Sequence, residues 1–304
     1  MNKSTEFISV LKRILRKNEI SNATEALLGL LKNLHLDLES IGGSRARNAK
    51  FASKAIFELL ILLPFLNIPN IAGYANTAIA ALFGGKKDVL YDFAKREETN
   101  WRRFNNCIFR QLLAKIRCRT DHKTSQAPTV LIVDDTDIRK TGRKIELVGK
   151  VFSHVKNTYT IGYKAMALLW SDGKTSLVAD CSIHGEKGRI EGKEQGLTAK
   201  QRAERYTREH PEDSPVSERI KEFFMQKPET LKQMLLRFKK REYTFDYFMC
   251  DSWFISHDLV AFVKKTFRRC HFLGMAKLSS TLYDWDGKMQ APRRSFPHSS
   301  RDRP

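Results

Sequence analysis

The chain has 304 residues, 54 of them Lys or Arg against 34 Asp or Glu, for a formal net charge of +20. With 41% hydrophobic and 29% charged residues it has the composition of a soluble globular protein, long enough for one large domain or two modest ones. The charge excess points to a polyanionic partner, nucleic acid ahead of membrane, because the longest apolar run, Ala55 to Leu66, carries Glu58 and Pro64. That run falls well short of the roughly 20 residues a spanning helix needs.

Met1 to Ser4 open no apolar signal core, so a cytoplasmic, nucleoid-associated protein with no membrane partner is expected. Five cysteines, Cys107, Cys118, Cys181, Cys250 and Cys270, include no Cys-x-x-Cys pair, which argues against a disulfide framework or structural zinc. Buried or half-buried thiols are expected instead. Cys270 and His271 have no partner pair at metal-site spacing.

Residues 1–125 read as helical. Phe7, Val10, Leu11, Ile14 and Leu15 recur at helical spacing, as do Ala26, Leu27, Leu30, Leu31 and Leu34. A small-residue, basic connector runs from Ile41 to Arg47. Ala55 to Phe65 predicts a buried helix, Ile71 to Phe83 a second, and Lys86 to Lys95 a third after Gly84 and Gly85. These three are compatible with a helix-turn-helix DNA reader whose last helix carries Lys86 and Lys87. On spacing alone, a bundle with a Lys-solvated last helix fits slightly better. Trp101 to Arg119 predicts a fourth helix.

Past Pro128 the pattern changes, and residues 126–288 predict a mixed α/β domain. Val130 to Val133 has strand length and ends in Asp134, Asp135 and Thr136. Tyr159 to Trp170 and Thr175 to Ile183 predict an antiparallel pair around the turn Ser171 to Lys174, where Asp172 and Gly173 supply the turn geometry. A polar excursion from His184 to Ser214 follows. Helices are predicted at Pro215 to Gln226 and Pro228 to Lys240, a strand at Tyr243 to Cys250, a Ser256-capped helix to Arg269, and a strand at His271 to Ala276. Residues 289–304, with three prolines and four arginines, predict an unstructured tail that resembles out-of-frame coding.

Asp135 and Asp251 each close a predicted strand, the edge where ligands gather in an open α/β sheet. If those strands are neighbours the carboxylates converge, and paired acids of this kind hold divalent metal for phosphate chemistry. An Asp after a strand is also a common turn former or helix cap. The pattern alone does not choose between Asp134 and Asp135, which point to opposite faces of a strand.

Val130 to Asp137, the Tyr159 to Trp170 strand with its hairpin, and Phe248 to Phe254 together resemble insertion-sequence DDE transposases of bacteria. Within these they are similar to the branch with a Tyr-x2-Arg-x3-Glu-x6-Lys signature. The resemblance runs from about Phe51 to Gly287 and implies an RNase H-like fold: a mixed sheet of three antiparallel strands, then alternating helices and strands, behind a helical N-terminal region. It implies metal-dependent cleavage and strand transfer on double-stranded DNA, at element ends and target, with Mg²⁺ or Mn²⁺ as cofactor and a homodimer on DNA. It places the first two acids at Asp135, the acid before Thr136, and at Asp251, which opens Asp-Ser-Trp-Phe.

The chain departs from that branch at its third acid. No Tyr is followed by Arg at plus three and Glu at plus seven; Tyr206, with Arg208 and Glu209, has the wrong spacing. Tyr283 to Lys288 reads as the opening hairpin of the family's inserted segment, cut short, so a truncated or shifted frame and little strand transfer are expected.

The DNA contacts expected are Lys86, Lys87, Arg102, Arg103, Arg139, Lys140, Arg143 and Lys144. The clusters at Lys239 to Arg241 and Lys264 to Arg269 are also basic, the latter read as a solvated helix face. Trp253 is expected in the core, and His184 and His257 in loop and capping positions. Two other readings stay open: a non-catalytic DNA-binding remnant and a different RNase H-like nuclease.

Overall fold

The computed structural model describes residues 22–43, 49–119, 127–188, 190–275, 282–285 and 287–290. The predicted helix from Phe7 to Leu15, residues 44–47 of the basic connector and most of the predicted tail lie outside them. The chain divides into two compact units, Met1–Cys118 with Glu209–Glu218, and Arg119–Arg208 with Arg219–Pro304.

The described part of the first unit is helical: α1 (Asn22–Asn33), α2 (Ser53–Phe65), α3 (Ile71–Tyr74), α4 (Ala78–Phe83), α5 (Lys87–Ala94) and α6 (Trp101–Arg119). Helix α2 is apolar nearly all round, so it forms the centre, with Ile56, Leu59 and Leu62 buried against Leu90 and Phe93. The helix expected over Ile71 to Phe83 is two helices. Its interruption is local chemistry, because Asn70 Oδ1 accepts the Gly73 N–H at 2.7 Å and Thr77 Oγ1 accepts the Ala80 N–H at 3.3 Å. Each side chain starts its own helix. Gly84, at φ 70, closes α4 in the left-handed region. The Tyr74 hydroxyl donates to the Gly85 carbonyl at 2.9 Å, and burial pushes its pKa up to about 12. Gln111 on α6 clasps the loop after α1 through both His35 backbone groups, at 2.8 and 2.9 Å.

The second unit is built on a six-stranded mixed sheet of the RNase H-like kind. Its strands are β1 (Val130–Arg139), β2 (Gly149–Ser153), β3 (Thr158–Ser171), β4 (Ser176–His184), β5 (Tyr247–Cys250) and β6 (His271–Gly274). The hairpin at Ser171 to Lys174 forms as expected: Gly173 has φ 83, and Asp172 Oδ1 accepts the N–H groups of Lys174 and Thr175. Strand β2 adds an antiparallel partner that the sequence pattern did not reveal. Gly162 on β3 pairs with both Arg139 and Gly149, so β2 lies on the β3 edge opposite β1, in line with β4. Strand β1 is flanked by antiparallel β3 and parallel β5, and β6 is parallel to β5.

A 3₁₀ turn (Glu194–Gly196), helices α7 (Ala199–Ala203), α8 (Pro215–Phe224), α9 (Lys227–Lys240) and α10 (His257–Thr266), and the short hairpin β7 (Tyr283–Trp285) and β8 (Lys288–Gln290) complete the described order. That hairpin falls where one was expected. Ser256 Oγ accepts the Leu259 N–H at 3.1 Å and caps α10 as its sequence position suggests. The strand expected from Tyr243 begins only at Tyr247, because the chain first turns at Asp246, whose carboxylate accepts the Thr129 N–H at 2.7 Å.

Alternation along paired strands defines the covered face. Leu131 and Val133 share it with Leu168 and Trp170 on β3 and with Phe248 and Cys250 on β5. Helix α9 lays Leu231, Met234, Leu235 and Phe238 into the core of this unit and meets β4. Among the described residues no helix is long and apolar enough to cross a membrane.

Candidate active site

Asp135 does not end its strand. Strand β1 runs on to Arg139 because β3 is long enough to supply partners from Met166 to Gly162, whereas β5 stops at Cys250. The last register pair between β1 and β5 is Val133 with Cys250, so Asp134 and Asp251 each follow a member of that pair. Position 135 lies one residue farther along β1, while the chain leaves β5 at Asp251. The sheet thus brings Asp135 and Asp251 to one edge.

The three aspartates have different surroundings. Alternation assigns Asp135 to the face of Leu131 and Val133, and Asp134 to the other. Asp134 is exposed and its Oδ1 accepts the Asp135 N–H at 2.8 Å. Asp135 is half-buried. Asp251 is exposed, and its Oδ1 accepts the N–H groups of Trp253 at 3.0 Å and Phe254 at 3.4 Å, an Asx turn that fixes the carboxylate as the chain leaves β5.

Lys227, the first residue of α9, forms an ion pair with Asp135 Oδ2. Its ammonium also lies 4.9 Å from the centroid of the Trp253 ring, within cation–π range. Trp253 is 49% exposed, so it is not the core aromatic expected from its sequence; its ring lies beside a surface cation at the site. One lysine therefore joins the surroundings of the two carboxylates. The sequence carried no signal for it, because the contact spans 92 positions and depends on where α9 lands.

Deeper on the same face is a row of charge that the sequence reading also missed. Lys164 on β3 pairs across β1 with Asp137 and across β4 with His184. Its ammonium donates to Asp137 Oδ1 at 2.6 Å and to the Phe152 carbonyl at 2.7 Å while only 3% of the residue is exposed. Burial alone would raise the Asp137 pKa, but hydrogen bonds from Lys164 and Ser153 outweigh it and hold the carboxyl below its ordinary value. His184 is the buried last residue of β4 and not a loop residue. Burial, reinforced by the positive charge of Lys227, pushes its pKa down, against the opposing pull of Glu222 and Asp135. His257 does begin α10, directly after the Ser256 cap.

On β4 and the helices above it, Arg237 Nε donates to Asp180 at 2.7 Å and Arg237 Nη1 to Glu222 at 2.8 Å. Ser182 Oγ donates to the other Glu222 oxygen at 3.0 Å. This network fixes α9 along β4, and with it the place of Lys227.

The basic residues expected to meet DNA are dispersed. Arg139 and Lys140 end β1 and follow it, and Arg143 and Lys144 lie in the next loop; all four are exposed. From Asp135 to Arg139 along an extended strand is about 13 Å. In the first unit Lys86 is the N-cap of α5 and Lys87 its first residue, both exposed, and Asp88 follows in the first turn. On α6 Arg103 is exposed, whereas Arg102 is half-buried with Glu218 4.0 Å away. The cysteines are free thiols; Cys250 and Cys270 are buried and Cys107 and Cys181 intermediate, but Cys118 is exposed, contrary to expectation.

Carboxylate oxygens are hard donors suited to Mg²⁺ or Mn²⁺, and one or two carboxylates with water and substrate phosphate are a common complement for Mg²⁺. The ammonium on Asp135 marks a place where this site already accommodates a cation. Among the described residues no group of three or more His, Cys, Asp or Glu converges as a metal site. The donor set fits a divalent ion held by two acids, with the remaining ligands from solvent or DNA.

No curated protein matches the chain. Residues 75–303 match the family model described as DDE superfamily endonuclease, a group whose nuclease and transposase-type reactions on DNA generally use divalent metal. With well over half its length matched, the chain belongs to the DDE superfamily endonuclease family.

Proposed function

We propose that the chain is the DNA-cutting part of a bacterial insertion-sequence transposase, in which Asp135 and Asp251 hold Mg²⁺ or Mn²⁺ against the strand to be cut. The observation that carries this reading is the parallel register of β1 and β5, which ends one residue before Asp251 and two before Asp135. A divalent ion bound there supplies Lewis-acid stabilisation of the phosphate and a more acidic attacking water. The chain's own residues orient it: backbone N–H groups fix Asp251, and β3 pairing fixes Asp135. Arg139, Lys140, Arg143 and Lys144 hold the phosphate backbone beyond the cut, and Lys86, Lys87, Arg102 and Arg103 serve end binding by the helical unit. Two copies on paired ends form the acting complex.

The sequence contains no Tyr-x2-Arg-x3-Glu pattern, so no third acid is assigned. With two carboxylates the ion is held weakly, and these 304 residues alone carry out little strand transfer. That weakness, together with the Lys227 contact on Asp135, also favours a second reading, a DNA-binding remnant that competes for element ends without cutting them.

A gel-shift and nicking assay on DNA carrying the flanking inverted repeats, with and without Mg²⁺, separates the readings. The transposase reading expects end binding with at least weak Mg²⁺-dependent nicking, lost in Asp135→Ala and Asp251→Ala. End binding without nicking supports the remnant. Cutting of branched DNA without regard to the repeats supports a different RNase H-like nuclease.

A further inference from the structure

Lys227 is in an electrostatically poor place for a lysine. As the first residue of α9 it brings a positive charge to the positive end of the helix macrodipole. Gln226, the N-cap, makes no side-chain cap bond there. Glu229 lies in the same first turn, and outside the helix the placement is offset by the Asp135 carboxylate and the Trp253 ring, whose centroid is 4.9 Å from the ammonium. Lys227 and Asp135 are 17% and 26% exposed in their side chains, so the pair is shielded from water but not sealed from it. The ammonium occupies the oxygen that a divalent ion would take.

We infer that Lys227 is a positioning residue that acts as a resident counter-ion of Asp135, and that a divalent ion gains this carboxylate only by displacing the ammonium toward solvent. The inference rests on the reading of Asp135 as a metal ligand. It follows that the lysine keeps the half-buried carboxylate compensated and in one orientation before the ion arrives. It also weakens ion binding by the strength of the contact it makes. A metal-loaded site therefore leaves a mobile cation beside the bound phosphate, whereas the ion-free site holds that cation on Asp135.

The test is Mn²⁺ binding to the 304-residue chain without DNA, followed by the free-ion electron paramagnetic resonance signal and, in parallel, by tryptophan fluorescence. Lys227→Met is expected to bind Mn²⁺ roughly five- to tenfold more tightly, the scale of losing a competing ion pair at a partly shielded site. Lys227→Arg, which keeps the charge, is expected to bind like the parent. In the parent, Mn²⁺ is expected to change the emission of Trp253, a change absent from Trp253→Phe. Unchanged or weaker Mn²⁺ affinity in Lys227→Met, in a chain where Asp135→Asn still removes binding, overturns the counter-ion role and leaves the metal-site reading standing. Mn²⁺ affinity that survives Asp135→Asn overturns the metal-site reading itself.

Discussion

Val133 and Cys250 are register partners on parallel neighbouring strands, and each is followed directly by an aspartate. From that pairing the two chains diverge. Strand β1 continues along β3 to Arg139, while the chain after β5 turns at Asp251, whose carboxylate accepts the Trp253 and Phe254 N–H groups. Asp135, one position beyond the aspartate that follows Val133, and Asp251, 116 positions away in sequence, thereby reach one edge of a sheet, one anchored within a strand and one within a turn.

Arg237 on α9 is shared by Asp180 on β4 and Glu222 on α8. Asp180 is 2% exposed and Glu222 6%, so Arg237→Met leaves two buried carboxylates without their common partner. Removing one member of a buried charge network costs about 3–5 kcal/mol. Chemical denaturation is expected to show a loss of that size, with the fluorescence of Trp170 and Trp253 reporting on this unit. Arg237→Lys is expected to recover only part of it, since a single ammonium cannot reproduce the forked contact.

Glu58 is 3% exposed on the apolar helix α2; neither carboxyl oxygen has a hydrogen-bond partner among the described residues, and Lys54 is 3.9 Å away. Burial raises its pKa, only partly opposed by Lys54. A raised folded-state pKa means that folding favours the protonated form. This contribution is fully present below the ordinary value of 4.5 and is lost as pH climbs from there through the folded-state value. Glu58→Gln is therefore expected to stabilise the helical unit at pH 8, by an amount on the order of 1 kcal/mol. The gain is expected to vanish near pH 4. Thermal melts of parent and variant at the two pH values check the sign.

Arg139, Lys140, Arg143 and Lys144 are exposed beyond the site on β1 and in the loop that follows. If they hold DNA as proposed, each phosphate they neutralise releases counter-ions, so each alanine substitution is expected to lower the slope of log K against log salt by about 0.9. The same loss is expected on DNA of any sequence, because phosphate contacts carry no base information. Gel shifts across a salt series measure it. A change confined to the inverted-repeat sequence would contradict a backbone role.

Local chemistry was legible in the sequence and long-range packing was not. The β3–β4 hairpin was read from Asp172 and Gly173, and the start of α10 from Ser256, because turn and cap bonds join residues a few positions apart. Strand β2 escaped because it is five residues long and begins with Gly149; its alternation of buried and exposed residues is clear only once β3 lies beside it. Helix α9 was placed from its apolar stripe, but that stripe does not reveal that Lys227 reaches Asp135 or that Arg237 reaches Asp180. For the same reason Trp253 read as a core residue. An aromatic beside an acid has no local feature that tells a packed ring from one exposed under a cation.

Whether Asp135 and Asp251 grip the same divalent ion, as proposed, is decided by a double-mutant cycle on Mn²⁺ affinity. Asp135→Asn and Asp251→Asn are each expected to weaken Mn²⁺ binding at least tenfold, and the double variant little further, because ligands of one ion are not independent. Losses that simply add, or Mn²⁺ affinity undiminished in either single variant, would contradict a shared ion at this edge of the sheet.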